Sequence, residues 1–140
     1  MLRLKLKDAE QIIINGAVMR AAGRVELLIE NDAAILRGRE IMQPDEATTP
    51  VRQLYFCMMM DYIEPDAGDR HTDAIIRLLG ECVERAGGAE EKLLCARLAH
   101  ELARARHYQA LVACRQLIAL EDSALAVACA AMENRYSAGL

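Results

Sequence analysis

From Leu2 to Lys7 apolar and basic residues alternate strictly, with Leu2, Leu4 and Leu6 on one side and Arg3, Lys5 and Lys7 on the other. A period of two predicts a half-buried strand with a basic outer face. Gln11 to Ile14 is apolar and β-branched, Asn15-Gly16 is a strong two-residue hairpin signal, and Ala17 to Arg20 returns as the next strand. Gly23 marks a turn, Val25 to Glu30 reads as a fourth strand, Asn31-Asp32 as a turn and Ala33 to Arg37 as a short fifth strand, with Gly38 at a bulge or turn. The first forty or so residues thus predict a small, mostly antiparallel β unit.

The pattern changes at Met42-Gln43-Pro44-Asp45-Glu46-Ala47-Thr48-Thr49-Pro50. Pro44 keeps Gln43 out of the helical region, and Thr49 followed by Pro50 supplies an N-cap with proline at the first helical position. From Pro50 to Ile63, Val51, Leu54, Tyr55, Met58, Met59 and Tyr62 follow the three/four spacing, while Phe56, Met60 and Ile63 make the other side apolar as well. A second helix is predicted from His71 to Ala86, with Ile75, Ile76, Leu79, Cys82, Val83 and Ala86 on its stripe, closed by Gly87-Gly88. A third runs from Ala89 to about Ala105 on Leu94, Cys95, Leu98, Leu102 and Ala105, and a fourth from about His107 on Leu111, Cys114, Leu117 and Ile118. The Ala-rich stretch from Ser123 to Leu140 begins as helix but lacks a packing pattern at its end. The fold class is α+β: a β-rich unit over residues 1–43, a connector over 44–50, and a bundle of about four helices over 51–140.

A hydrophobic share of 54% against 27% charged residues supports a folded core throughout the 140 residues. The net charge of −4 is unevenly placed. Residues 1–43 carry seven Lys/Arg against six acids, a net of +1, and the remainder ten against fifteen, a net of −5. The two parts therefore suit different partners. One Phe, four Tyr and no Trp leave no obvious platform for stacking single-stranded bases, so RNA contact has to rest on charge and backbone groups. Five cysteines with no CxxC pair suggest neither a disulfide framework nor a zinc knuckle, and fit a reducing cytoplasm. The amino terminus has no signal-peptide pattern, and no stretch approaches the ~20 apolar residues of a membrane helix.

No GxGxxG, GxxxxGK[ST], HExxH or GxSxG motif occurs, so neither an enzyme nor a bound cofactor or metal is expected. His71 beside Asp69 and Asp73 is read as part of a capped helix start, and His100 and His107 as core or surface residues. Met58-Met59-Met60 spans too wide an arc for one face. Either the core absorbs it, or Met58 and Met60 offer a flexible partner or dimer face. The connector poses the same choice: Thr48, Thr49 and Arg52 either cap a helix and join the two parts, or form a docking loop. The one constellation with nucleic-acid chemistry is Arg3, Lys5 and Lys7 with Arg37 and Arg39. If the first and fifth strands lie side by side, these five cations gather on one edge where they release counterions from phosphates. The alternative is a solvated face balanced by Asp8, Glu10 and Glu40.

Ile12-Ile13-Ile14-Asn15-Gly16-Ala17-Val18, the stretch from Leu28 to Arg37, and Ile41-Met42-Gln43-Pro44-Asp45-Glu46-Ala47-Thr48-Thr49-Pro50-Val51-Arg52 resemble the flagellum biosynthesis repressor FlbT family over about residues 1–120. The resemblance implies post-transcriptional control of flagellin: association with the 5′ untranslated region of flagellin mRNA, with reduced translation and faster decay. The implied partners are that mRNA leader, a FlaF-type regulator and flagellin, and the helical part is expected to bind the FlaF-type regulator, flagellin or a second copy of the chain in a homodimer. The alternative is an adaptor or chaperone-like protein that binds flagellin or the FlaF-type regulator without touching RNA. Met1 to Lys7, Glu10, Ile12 to Gly16, and Ile35-Leu36-Arg37 ahead of Glu40-Ile41 are also similar to the carbon storage regulator family. That similarity implies an RNA edge at Leu4, Lys5, Lys7 and Arg37.

Overall fold

The computed structural model describes residues 1–64 and 66–138, with side chains of the last helix as far as Glu133. Five strands, β1 (Leu2–Leu6), β2 (Gln11–Ile14), β3 (Ala17–Arg20), β4 (Val25–Ile29) and β5 (Ile35–Arg37), precede two short 3-10 turns and four helices, α1 (Pro50–Ile63), α2 (Thr72–Arg85), α3 (Ala89–Ala103) and α4 (His107–Ala138). The α+β class read from the sequence is the class observed. Asn15 and Gly16 both have positive φ, 50° and 84°, the geometry that joins β2 to β3 in a two-residue hairpin. Thr49 Oγ1 accepts the Arg52 backbone N–H at 3.3 Å, and Pro50 follows, so α1 starts on the cap and proline that the sequence supplies.

The strand order differs from expectation. β1 pairs antiparallel with β4, while β5 pairs with β2, giving a two-stranded sheet beside a three-stranded sheet ordered β3-β2-β5. β1 and β5 are therefore not hydrogen-bonded neighbours. The reason lies in the two faces of β2 and β5. Ile13 pairs with Leu36, and both enter the main core with Leu54, Tyr55 and Met58 of α1 and Leu98, Leu111 and Cys114 of α3 and α4. Ile12, Ile14 and Ile35 turn the other way and meet Leu4, Leu6, Leu27 and Ile29 of the β1–β4 pair. The β2–β5 layer is thus covered by helices on one side and by a strand pair on the other.

The helices also correct the sequence reading in detail. On α2 the buried stripe is Ile75, Leu78 and Cys82, whereas Ile76 and Val83 stay 64% and 53% exposed. One α2 face, turned toward α1, satisfies the bundle, and the flank carrying Ile76 and Val83 is left in solvent. α3 ends at Ala103, and Ala105 lies in a turn at φ 56° instead of extending the helical stripe. α4 continues unbroken from the bundle into the Ala-rich segment, where residues 123–133 are all exposed. Among the described residues no helix is long and apolar enough to cross a membrane.

Leu36, wholly buried in the layer shared by both parts, tests that arrangement. Leu36→Ala is expected to cost about 2–5 kcal/mol, as large-to-small changes in closed cores do. It should lower the urea midpoint of strand and helix signals together. Leu2→Ala, at a half-exposed position, is expected to stay within roughly 0.5 kcal/mol of the parent.

Candidate nucleic-acid interface

The five cations singled out from the sequence separate into three environments. Arg3 and Lys5 stand on the outer face of β1, opposite Leu28 and Glu26 of β4, and Lys7 follows just beyond the strand. Arg3 Nε lies 2.9 Å from a Glu26 carboxylate oxygen, but both side chains are well exposed. A pair in that setting contributes about 0–1 kcal/mol and exchanges readily for another anion.

Arg37 is placed quite differently. It pairs across the ladder with Ile12, so its side chain takes the β-unit side of the layer, and its Nη2 donates to the Lys5 carbonyl at 2.7 Å. Nη2 and Nε also donate to the same Glu10 oxygen at 2.7 and 3.1 Å, leaving the side chain one-third exposed. The other Glu10 oxygen accepts the Lys7 backbone N–H at 3.1 Å. That backbone hydrogen bond, aided by Arg37, holds the Glu10 carboxyl below its ordinary value. Arg37 is a brace that ties β5 to β1 and to the loop after it. Arg39, in the turn Gly38–Glu40, lines a different groove with Arg52 and Arg115.

The acids that the sequence reading set against the basic face are committed locally. Asp8 accepts the Gly23 N–H at 2.7 Å, fixing the Lys7–Glu10 loop against the turn into β4, and Arg20 donates to the Ala9 carbonyl at 2.7 Å. Glu40 accepts the Arg37 N–H at 3.1 Å and the Tyr108 hydroxyl, and its carbonyl accepts the Tyr55 hydroxyl at 2.6 Å. These bonds fasten the end of β5 to α1 and α4. The bond to Glu40, with burial, pushes the Tyr108 phenol up to about 12, and burial raises Tyr55 and Tyr62.

A shallow groove of about 710 Å³ results at the end of the β1–β4 pair, lined by Lys5, Lys7 and Arg24 together with Leu6, Val25, Asp8 and Glu26. Among the described residues, Lys5, Lys7 and Arg24 form no ion pair. Arg24 was missed in the sequence. Its signal is register, because Leu6 faces Val25 and the residues just past that last pair, Lys7 and Arg24, line the same groove.

The expected partner residues divide as well. Met58 is 3% exposed and belongs to the core, and Met60 is half-buried against it. Thr48 is exposed. Thr49 Oγ1 donates to Glu121 at 2.9 Å, and Arg52 reaches Asp122 at 2.6 Å, so both hold the start of α1 against α4. His71 sits 3.3 Å from Glu64, not against Asp69 or Asp73, and His107 is 3.8 Å from Asp61. Cys82, Cys95 and Cys114 are buried, and burial raises all three thiols, Cys82 to about 11. Among the described residues no three His, Cys, Asp or Glu side chains are grouped to hold a metal ion.

A model of flagellar protein FlbT matches residues 2–125. The chain is 35% identical over 125 residues to a probable flagellum biosynthesis repressor protein FlbT of a Caulobacter species, covering 89% of this chain and 95% of the relative. It is 33% identical to the flagellum biosynthesis repressor protein FlbT of Caulobacter vibrioides, with 89% of each chain covered. A probable repressor of the same name from Rhizobium leguminosarum is 38% identical over 130 residues, covering 89% of this chain and 83% of the relative. No solved structure matches.

Two outcomes check the division between bracing and free cations. Arg37→Met is expected to lower stability by on the order of 1–2 kcal/mol through loss of charge-assisted hydrogen bonds, and Arg3→Met by under about 1 kcal/mol, measured by urea unfolding. The phenol titration reports the Glu40 junction. Because Tyr108 titrates higher folded than unfolded, its contribution to stability is complete below the ordinary phenol range and fades as pH rises through about 12. Tyr108→Phe should remove one late-titrating phenol from the ultraviolet pH titration.

Proposed function

The chain belongs to the FlbT family of flagellar proteins, and we propose that it regulates flagellin synthesis after transcription by binding the 5′ untranslated leader of flagellin mRNA, lowering its translation and stability. The observation that carries this reading is the rim of Lys5, Lys7 and Arg24: three exposed cations that form no ion pair among the described residues, beside a groove open to a passing strand. Their backbone is held in place by the Asp8–Gly23 and Glu10–Lys7 hydrogen bonds, so the ammonium and guanidinium groups are presented with little further ordering of the loop. Phosphates gain by displacing counterions at such a rim, and Arg3 joins them by exchanging Glu26 for a phosphate oxygen.

For Arg37 the reading is indirect: it shapes the edge by gripping the Lys5 carbonyl. A chain of net charge −4 binds RNA here because the rim lies on the part of the sequence with the positive balance, at the far side of the β2–β5 layer from the acidic bundle.

Crosslinking of the purified chain to the flagellin leader, with the crosslinked peptides mapped, is expected to return peptides covering Lys5, Lys7 and Arg24. Lys5→Glu with Lys7→Glu should weaken leader binding and lower the salt dependence of log K by about 0.7 for each phosphate no longer neutralised, while the fold persists. Unchanged affinity at low salt, or crosslinks confined to the helices, would remove the site. RNase-resistant capture of flagellin by a chain that ignores the leader would favour the adaptor.

A further inference from the structure

A second groove, of about 690 Å³, opens where the β unit meets the bundle, between the Gly38–Glu40 turn, the connector and α4. Ile41, Met42 and Ile118 give it an apolar floor, and Arg39, Arg52 and Arg115 stand around it. Arg52 is already engaged by Asp122 at 2.6 Å and by Glu121 at 3.8 Å. Arg39 and Arg115 are exposed, and neither forms an ion pair among the described residues. Arg115 also lies near enough to the buried Tyr55 phenol to act against the upward push of burial on it.

Two uncommitted guanidinium groups beside an aliphatic floor select for an occupant with two kinds of group. Guanidinium forks match carboxylates with paired, charge-assisted hydrogen bonds. The aliphatic floor gains only if apolar surface is laid on it. A nucleic acid is a poor fit, because a sugar-phosphate strand brings no aliphatic surface to lay on Ile41, Met42 and Ile118. An acidic side chain next to an aliphatic one meets the arginines without carrying charge along the whole groove. We propose that this groove is a docking site for a protein partner, which enters it with a short segment pairing acidic with aliphatic side chains, the carboxylates held by Arg39 and Arg115 and the aliphatic groups seated on Ile41, Met42 and Ile118.

The site is separate from the rim at Lys5 and Lys7 and does not rest on RNA binding. It is tested with the full chain, isotopically labelled for NMR, and a capped synthetic peptide built on a Glu-Glu-Leu-Leu repeat, beside a counterpart with every Glu replaced by Gln. The acidic peptide is expected to give saturable shifts at Arg39, Met42, Arg115 and Ile118, with the Gln peptide about tenfold weaker or more, in line with the loss of charge-assisted bonds. Arg39→Glu with Arg115→Glu should abolish those shifts while the remaining spectrum stays that of the folded parent. Arg39→Lys with Arg115→Lys should keep part of the affinity. Equal binding of the two peptides, shifts centred on Lys5 and Lys7, unchanged affinity in the Glu variant, or displacement of the acidic peptide from these residues by a uridine oligonucleotide would each overturn the proposal. Leader binding by the Arg39→Glu, Arg115→Glu variant, whose Lys5 and Lys7 are intact, reports on the RNA reading independently.

Discussion

A short strand pair with apolar side chains on both faces has to be covered twice, and β2 with β5 is such a pair. Ile13 and Leu36 point at the helices, while Ile12, Ile14 and Ile35 point at β1 and β4. A two-stranded ribbon is at best marginal alone in water. The β1–β4 ribbon therefore depends on the layer beneath it, and that layer depends on α1, α3 and α4. Everything presented on the outer face of β1 inherits its position from this stack. The hydrogen bonds centred on Arg37 and Glu40 act at the seams: Arg37 fastens β5 to β1, and Glu40 fastens the end of β5 to Tyr55 of α1 and Tyr108 of α4.

This dependence explains what the sequence disclosed and what it withheld. Alternation fixes which side chains share a face, so the strands and the Asn15-Gly16 turn were legible residue by residue. Thr49-Pro50 likewise marked the start of α1. Alternation does not say which strand lies beside which. Pairing of β1 with β4 and of β5 with β2 is decided by covering both faces of the middle layer, a property of the assembled core. Arg37 illustrates the consequence. In the run Ile35-Leu36-Arg37 two adjacent apolar residues obscure the inward and outward sides, and only the pairing of Arg37 with Ile12 shows that its guanidinium turns toward β1. Arg24 is hidden for the converse reason, since its value comes from lining one groove with Lys7 just past the last β1–β4 pair. On α2 a three/four pattern wide enough for two faces was read as one, and the bundle uses only the part carrying Ile75, Leu78 and Cys82.

The distribution of carboxylates matters as much as that of cations. Asp8, Glu10 and Glu40 look in the sequence like counter-charges that would neutralise a basic face. In the fold Asp8 and Glu10 accept backbone N–H groups of the loops that shape the rim, Glu10 also neutralises Arg37 at 2.7 Å, and Glu40 anchors the seam to the bundle. An acid bound to backbone amides restrains the chain where it sits, and its charge is partly answered by those amides. The same acids that lower the net charge of the β unit therefore stiffen the loops on which Lys7 and Arg24 are displayed. Arg3 retains Glu26 as a partner, but in an exposed pair that an incoming phosphate can replace at small cost.

The two grooves then differ by the company their cations keep. Lys5, Lys7 and Arg24 stand where the strand pair runs out, over a shallow surface that Leu6 and Val25 share with Asp8 and Glu26. A flexible polyanion can follow such a rim, and the lack of aromatic side chains gives it no means of gripping individual bases by stacking. Arg39 and Arg115 flank a floor of Ile41, Met42 and Ile118 at the junction of both parts of the chain. Each is anchored to a different element, the Gly38–Glu40 turn and α4, which the Glu40–Tyr108 and Glu40–Tyr55 bonds hold in register. An occupant that bridges the two arginines would favour the docked arrangement of β unit and bundle over any looser one, by as much as its affinity differs between them.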